Sequence, residues 1–460
     1  MLTVFSLAGL LCSLYQFTFA AIQDAAMRYY RIEYTQLWKL NLMSLSYMIA
    51  YVPSALVASY IIDKKGLRLS VTIGCMLNFL SGWVRLAGFK KGHEYFYWIS
   101  FSGQCLGALA QPFLTNAITS MASNWFGEKE RTIATTIGAF TNILGGGIAF
   151  GVAPPLATIA SRNGRDISEI GMVILLSSQA LFASLLLLLC VSTFRERPPT
   201  PPSSSFSSSH NVKHEVRQDL LSLAKNRDFV ILFVAFGLGF GSFQAFTSLI
   251  NQIVVPVGYN DDDAGIMGLA IIACGLVGAG IFGISADLTK RYKTLLMICG
   301  VLSAVSFSCF CVAIMYQKTT TTYWLCIAAI CSMGLTATAI VPLALEAAVE
   351  VTYPIAETLS NGLLYAAGTL CSIAILLAMS FMQPQIPDPI RPGRTLPGSM
   401  QNALWVALGC FCTAILMIPF FGGLKPKYKR YEQELIDKEG DNHVLKISLD
   451  KSFLRYHERI

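Results

Sequence analysis

Apolar residues gather into long blocks along the chain, with short polar breaks between them. Twelve blocks stand out, at about 2–23, 40–62, 70–89, 96–120, 132–158, 171–192, 229–254, 265–286, 294–316, 323–345, 359–382 and 403–423. Each is long enough to cross ~30 Å of hydrocarbon as a helix whose backbone hydrogen bonds close internally. Gly and Pro recur inside the blocks, as packed membrane helices tolerate. The pattern predicts an all-α membrane protein with twelve transmembrane helices in two pseudo-symmetric six-helix bundles.

The first block lacks a basic stretch ahead of it and exceeds the roughly 7–15 apolar residues of a signal peptide. It reads as a true helix, and because the chain begins almost inside it, a short preceding segment is expected. Between the sixth and seventh blocks, Arg195-Glu196-Arg197-Pro198-Pro199-Thr200-Pro201-Pro202 leads into a serine-rich run over 203–209. That stretch is stiff and then flexible, and it cannot bury a core. The expected organisation is a six-helix bundle over 1–192, a cytoplasmic Pro/Ser-rich linker over 193–228, a second bundle over 229–423 and a cytoplasmic tail over 424–460.

Composition removes a soluble enzyme from consideration. Of 460 residues, 54% are apolar and 13% charged, where soluble domains carry roughly 25% charged. With both termini cytoplasmic, 23 of the 34 Lys and Arg fall on that side, the bias expected of inner loops. The net charge of +7 then reports topology and implies no nucleic-acid partner. All 13 cysteines fall inside blocks without a CxxC spacing, and read as small packing residues. His93, His210, His214, His443 and His457 lie in loops or tails. No metal site, cofactor or catalytic constellation is therefore expected within the spans.

A weak internal repeat marks the two bundles. Asp63-Lys64-Lys65-Gly66-Leu67-Arg68 follows the second block, and Gly283-Ile284-Ser285-Ala286-Asp287-Leu288-Thr289-Lys290-Arg291 follows the eighth. The arrangement resembles the major facilitator superfamily, whose signature loop reads roughly G-x-x-x-D-[RK]-x-G-x-[RK]. Asp63, Lys64, Gly66 and Arg68 match the first copy, Ser59 replaces its leading glycine, and Gly283 and Asp287 match the second. An acid at a helix end and bases across the half-interface can latch one closed conformation, so these residues are gating candidates. In the fifth block, Gly147 and Gly151 form a small-residue face for close helix approach, and Pro154-Pro155 is expected to bend or end the helix.

Longer stretches are similar to the feline leukaemia virus subgroup C receptor-related transporters, solute carrier family 49. They include Gly103-Gln104-Cys105-Leu106-Gly107-Ala108-Leu109-Ala110-Gln111-Pro112-Phe113, Asn124-Trp125-Phe126-Gly127-Glu128-Lys129-Glu130-Arg131 and Leu345-Glu346-Ala347-Ala348-Val349-Glu350. The prolines of the linker and Asn251-Gln252-Ile253 look most like the member-3 branch. The resemblance implies a carrier of small organic molecules, with choline, ethanolamine, haem and pyridoxine proposed among relatives. Choline-carrying relatives surround the ligand with a tryptophan, a glutamine and a second glutamine, at positions that align here with Phe19, Gln111 and Thr369.

The residues themselves point to the same mid-membrane region, where transporters bind substrate between their halves. Tyr15, Phe19, Tyr47, Gln111, Asn116, Asn142, Gln244, Tyr365 and Thr369 are the polar or aromatic side chains deep in the blocks. Aromatic faces attract an alkylammonium group by about 0.5–2 kcal/mol each. Acids lie only at block edges, at Asp24, Glu346, Glu350 and Glu357, which favours facilitated diffusion, with proton coupling through Asp24 as the rival. Glu346 and Glu350 are one turn apart and are expected to pair with the 287–293 loop as a gate. Arg85 is the one base well inside a block and is expected to snorkel outward. The expected partners are a small-molecule substrate and the lipid bilayer, for a monomer in the plasma membrane, with endolysosomal and mitochondrial membranes as alternatives. A non-transporting receptor or scaffold acting through linker and tail is the competing class.

Overall fold

The structure, a computed structural model, describes residues 1–32, 36, 38–126, 128–159, 167–195, 216–289, 291–316, 318–352, 355, 357–387 and 395–421. Within them the first half comprises α1 (Leu2–Ala21), α2 (Gln23–Tyr30), α3 (Trp38–Lys65), α4 (Leu67–Ala87), α5 (Glu94–Thr115), α6 (Ala117–Trp125), α7 (Glu128–Ala157) and α8 (Glu169–Thr193). Helix α9 (Val216–Lys225) precedes the second half. That half is α10 (Arg227–Val254), α11 (Asp261–Thr289), α12 (Tyr292–Ala313), α13 (Thr320–Thr352), α14 (Glu357–Phe381) and α15 (Gln401–Met417). A ribbon of two short antiparallel strands, Gln385–Pro387 and Thr395–Pro397, joins the last two helices.

Eleven helices among the described residues are long and apolar enough to cross a membrane. The predicted fourth block folds as α5 followed by α6, which starts after Asn116. Its Gln104 and Gln111 dilute the apolar character that the other helices carry, and the pair completes a twelve-crossing arrangement. The proline pair does not stop α7, which runs through Pro154 and Pro155 to Ala157. The stretch read as linker ends in a helix, α9, and Asn226 then caps α10 by accepting from the N–H groups of Asp228 and Phe229. The predicted tail over 424–460 and most of the linker lie outside the described residues.

The chain crosses between two ends of the bundle. One, here the terminal end, holds Met1, the 64–67 turn, the start of α10 and Phe421; the other is the far end. Between the halves, α7 packs on α11 and α3 on α14. The small-residue face on α7 makes the first contact: a Cβ on Gly147 would stand 3.0 Å from Ile272, and one on Gly151 3.1 Å from Leu269. Close backbone approach of this kind replaces the hydrophobic drive that lipid removes.

The buried residues fall into three clusters with different membership. The largest draws on both halves, with Phe17, Met43 and Phe150 joined by Phe246, Met267, Leu376 and Phe411. The second holds only first-half residues, from Phe5 to Phe194. The third holds only residues of α9 and the second half, from Leu223 to Phe421. The shared cluster takes in the far-end portions of α1, α3, α7, α10 and α14, and the other two take in terminal-end portions of α1, α3, α10 and α14. Among the described residues, the two halves thus share one core at the far end and have separate cores at the terminal end.

Candidate functional site

The predicted amide and aromatic side chains form separate sets of contacts in the two halves. Gln111 on α5 donates its Nε2 to Oε1 of Gln16 on α1 at 3.0 Å, and keeps part of its surface exposed. Asn116, at the break after α5, accepts from the Tyr51 hydroxyl at 3.2 Å. Asn142 on α7 donates to the Gly9 carbonyl at 3.0 Å, so its amide ties two helices together. In the second half, Phe236 and Phe240 stack with centroids 5.3 Å apart. Tyr365 on α14 stands edge-on to both, at 6.0 and 5.9 Å. Gln244, one turn beyond Phe240 on α10, is half-buried. Thr369 is turned back on its own helix, its hydroxyl donating to the Tyr365 carbonyl at 2.8 Å.

Tyr15, Phe19 and Tyr47 form a separate group inside the first half, each at most 1% exposed. The Tyr15 hydroxyl donates to the Gln179 carbonyl of α8 at 3.2 Å. The guanidinium of Arg85 lies 4.5 Å from the Tyr15 ring centroid and 5.1 Å from that of Phe19. Contrary to the snorkelling expectation, Arg85 is 1% exposed and turned inward. Gly103 on α5 makes the room: a Cβ there would stand 2.7 Å from Cγ of Arg85.

A polar clasp closes the far end. Asn41 of α3 is its hub: Oδ1 accepts from Gln23 at 2.7 Å and from Gln252 of the second half, and Nδ2 donates to Ser380 of α14 at 2.7 Å. Beside it Asn251 donates to the Ala21 carbonyl at 3.4 Å and to Asp261 at 2.6 Å, and Arg28 pairs with Asp261 at 3.5 Å. Lys39 and Glu94 pair just outside the spans, and the ammonium holds the Glu94 carboxyl below its ordinary range. Of these, only Asn251 and Gln252 drew notice in the sequence, as part of a family stretch. The available signal was an amide near the end of an apolar block, as at Gln23 and Asn41.

The predicted gating residues lie at the opposite, terminal end. Gly66 joins α3 to α4 at φ 100°, a left-handed conformation that favours glycine. Lys64 and Arg68 are exposed there. The side chains of Asp63, Asp287 and Asp24, and Lys290 altogether, lie outside the described residues. Glu346 is exposed and Glu350 buried at the end of α13, while Lys293 donates to the Pro419 carbonyl at 2.7 Å.

The Major Facilitator Superfamily pattern matches residues 4–379. The chain belongs to that superfamily. Within it, the chain is similar to members of solute carrier family 49. Choline/ethanolamine transporter FLVCR1 of Felis catus is 29% identical over 420 residues, 90% of this chain and 72% of that protein. Choline/ethanolamine transporter FLVCR2 of Homo sapiens is 29% identical over 448 residues, 96% of this chain and 81% of that protein. Solute carrier family 49 member A3 of Xenopus tropicalis is 30% identical over 433 residues, covering 91% and 85%. Among solved structures, a D-xylose–proton symporter superposes with a TM-score of 0.71 at 14% identity, covering 93% of this chain and 98% of that one. As a major facilitator, the chain is a multi-pass membrane protein that transports a small solute.

Proposed function

We propose that this carrier moves a small organic solute of the choline or ethanolamine type by alternating access, without proton coupling. The observation that carries the alternating-access reading is the division of the core. Among the described residues, one cluster common to both halves lies at the far end, and the two clusters at the terminal end are not shared. The charge bias puts the terminal end in the cytoplasm, so this conformation opens inward. Substrate class follows from the relatives, which are choline/ethanolamine transporters by name, and from chemistry at the middle of the bundle. Phe240 and Tyr365, both partly exposed, offer aromatic surface to an ammonium group, while Gln111 and Gln244 offer amides to a hydroxyl. The rings of Tyr15 and Phe19 already hold Arg85 and are not available to a solute cation. Facilitated diffusion is supported by the placement of acids at the block edges.

Binding of choline and of ethanolamine to the purified chain, followed by thermal stabilisation, tests this reading. Saturable stabilisation by either, weakened in Gln111→Ala and in Tyr365→Ala, is the expected result. Stabilisation by neither solute contradicts the substrate class.

A further inference from the structure

Arg85 is a full positive charge inside the first half with no compensating charge among the described residues. Its Nε, Nη1 and Nη2 are buried and make no hydrogen bond, and no carboxylate pairs with it among the described residues. The neighbours that feel its charge are phenols, Tyr15, Tyr47 and Tyr30. The Tyr30 hydroxyl is taken up by the Gly88 carbonyl and Ser100 Oγ, at 3.1 and 3.0 Å.

Magnitudes show that the two rings are not enough. Desolvating an ion costs more, even after relaxation, than two cation–π contacts return, and a ring face accepts none of the five N–H groups of a guanidinium well. Other buried polar atoms without a hydrogen bond lie on the facing sides of the same helices. Ser81 Oγ is one turn before Arg85 on α4, and Tyr47 Oη comes from α3. Both approach one point, standing 2.9 and 2.6 Å from where a Cβ on Gly107 would be. These hydroxyls can donate. The acceptors left without a donor on the surrounding helices include Gln104 Oε1, Asn78 Oδ1 and Gln179 Oε1, and even if all of them turned to Arg85 the charge itself would stay uncompensated.

The geometry points to a resident monovalent anion of chloride size, held by Arg85 with the hydroxyls of Ser81 and Tyr47 inside the α1–α3–α4–α5 bundle. A cluster rich in donors and carrying one positive charge calls for one negative charge. The burial of all three groups favours a small inorganic ion over an organic solute. The anion acts as an internal counter-ion that fixes Arg85 against Tyr15 and Phe19, and so sets the packing of α1. The inference concerns stability and does not depend on which solute is carried.

Thermal unfolding of the purified full-length protein is to be compared in sodium chloride and in sodium gluconate at equal ionic strength, alongside binding of radioactive chloride. The expected result is a saturable rise in Tm with chloride, reproduced by bromide, with one chloride bound per chain. Arg85→Gln is expected to lose both. Ser81→Ala, which removes one of the donating hydroxyls, should fold and bind chloride at least severalfold more weakly, so the test survives if Arg85→Gln does not fold. Equal Tm in the two salts with no bound chloride, or unchanged chloride affinity in Ser81→Ala, overturns the proposal and assigns water to these groups.

Discussion

Gln111 and Gly66 show what single residues contribute and how each was legible. Gln111 stood out because an amide inside an apolar block is costly unless it is bonded or used, and its bond to Gln16 leaves its carbonyl oxygen for a solute. Gln111→Ala is expected to reduce saturable uptake several-fold while surface expression stays intact; unchanged kinetics would remove it from the site. Gly66 was legible as a motif residue, and its φ of 100° supplies the physical reason. Gly66→Ala should cost roughly 1 kcal/mol or more from backbone strain, read as a lower Tm with the span count unchanged. Tyr15, Phe19 and Tyr47 looked equivalent to Tyr365 in sequence because all are aromatics in spans. Only packing separates those facing Arg85 from one beside Phe236 and Phe240.

Elements were the most legible scale, since a span needs about 20 apolar residues and the twelve blocks provided them. The fourth was the exception in composition, broken at Asn116 and interrupted by amides. The small-residue face of α7 was also visible, but its partner, α11 of the other half, was not, because glycine spacing names no counterpart. Gly147→Leu should wedge α7 from Ile272, costing about 1–3 kcal/mol by overpacking, and a Tm equal to that of the parent would argue against the seam. The clasp escaped sequence reading because its members come from five helices. Asn41→Ala leaves Gln23, Gln252 and Ser380 without their hub, at about 1–3 kcal/mol, so amide hydrogen exchange in α2 should rise. Lys39 and Glu94 add a pH dependence outside the spans. The folded carboxyl lies below its ordinary range, so its stabilisation is present at neutral pH and is lost as pH falls through that lowered value. The Tm difference between the parent and Glu94→Gln should accordingly shrink on acidification.

At the scale of the whole molecule, two helical bundles were legible in the order of the blocks and the repeated loop. The conformation was not. A sequence specifies both the closed and the open arrangement of each end, and the choice appears only in which buried residues share a core. Here Phe17, Met43 and Phe150 share theirs with Phe246 and Phe411, while Phe5 and Phe229 belong to separate ones. Solute counterflow in proteoliposomes containing only this protein tests the resulting account most directly. Vesicles loaded with unlabelled choline or ethanolamine should transiently accumulate the labelled solute, without a proton gradient and with Gln111→Ala impaired. Absence of counterflow for these solutes would contradict the proposed substrate class, and accumulation that requires an imposed proton gradient would contradict facilitated transport.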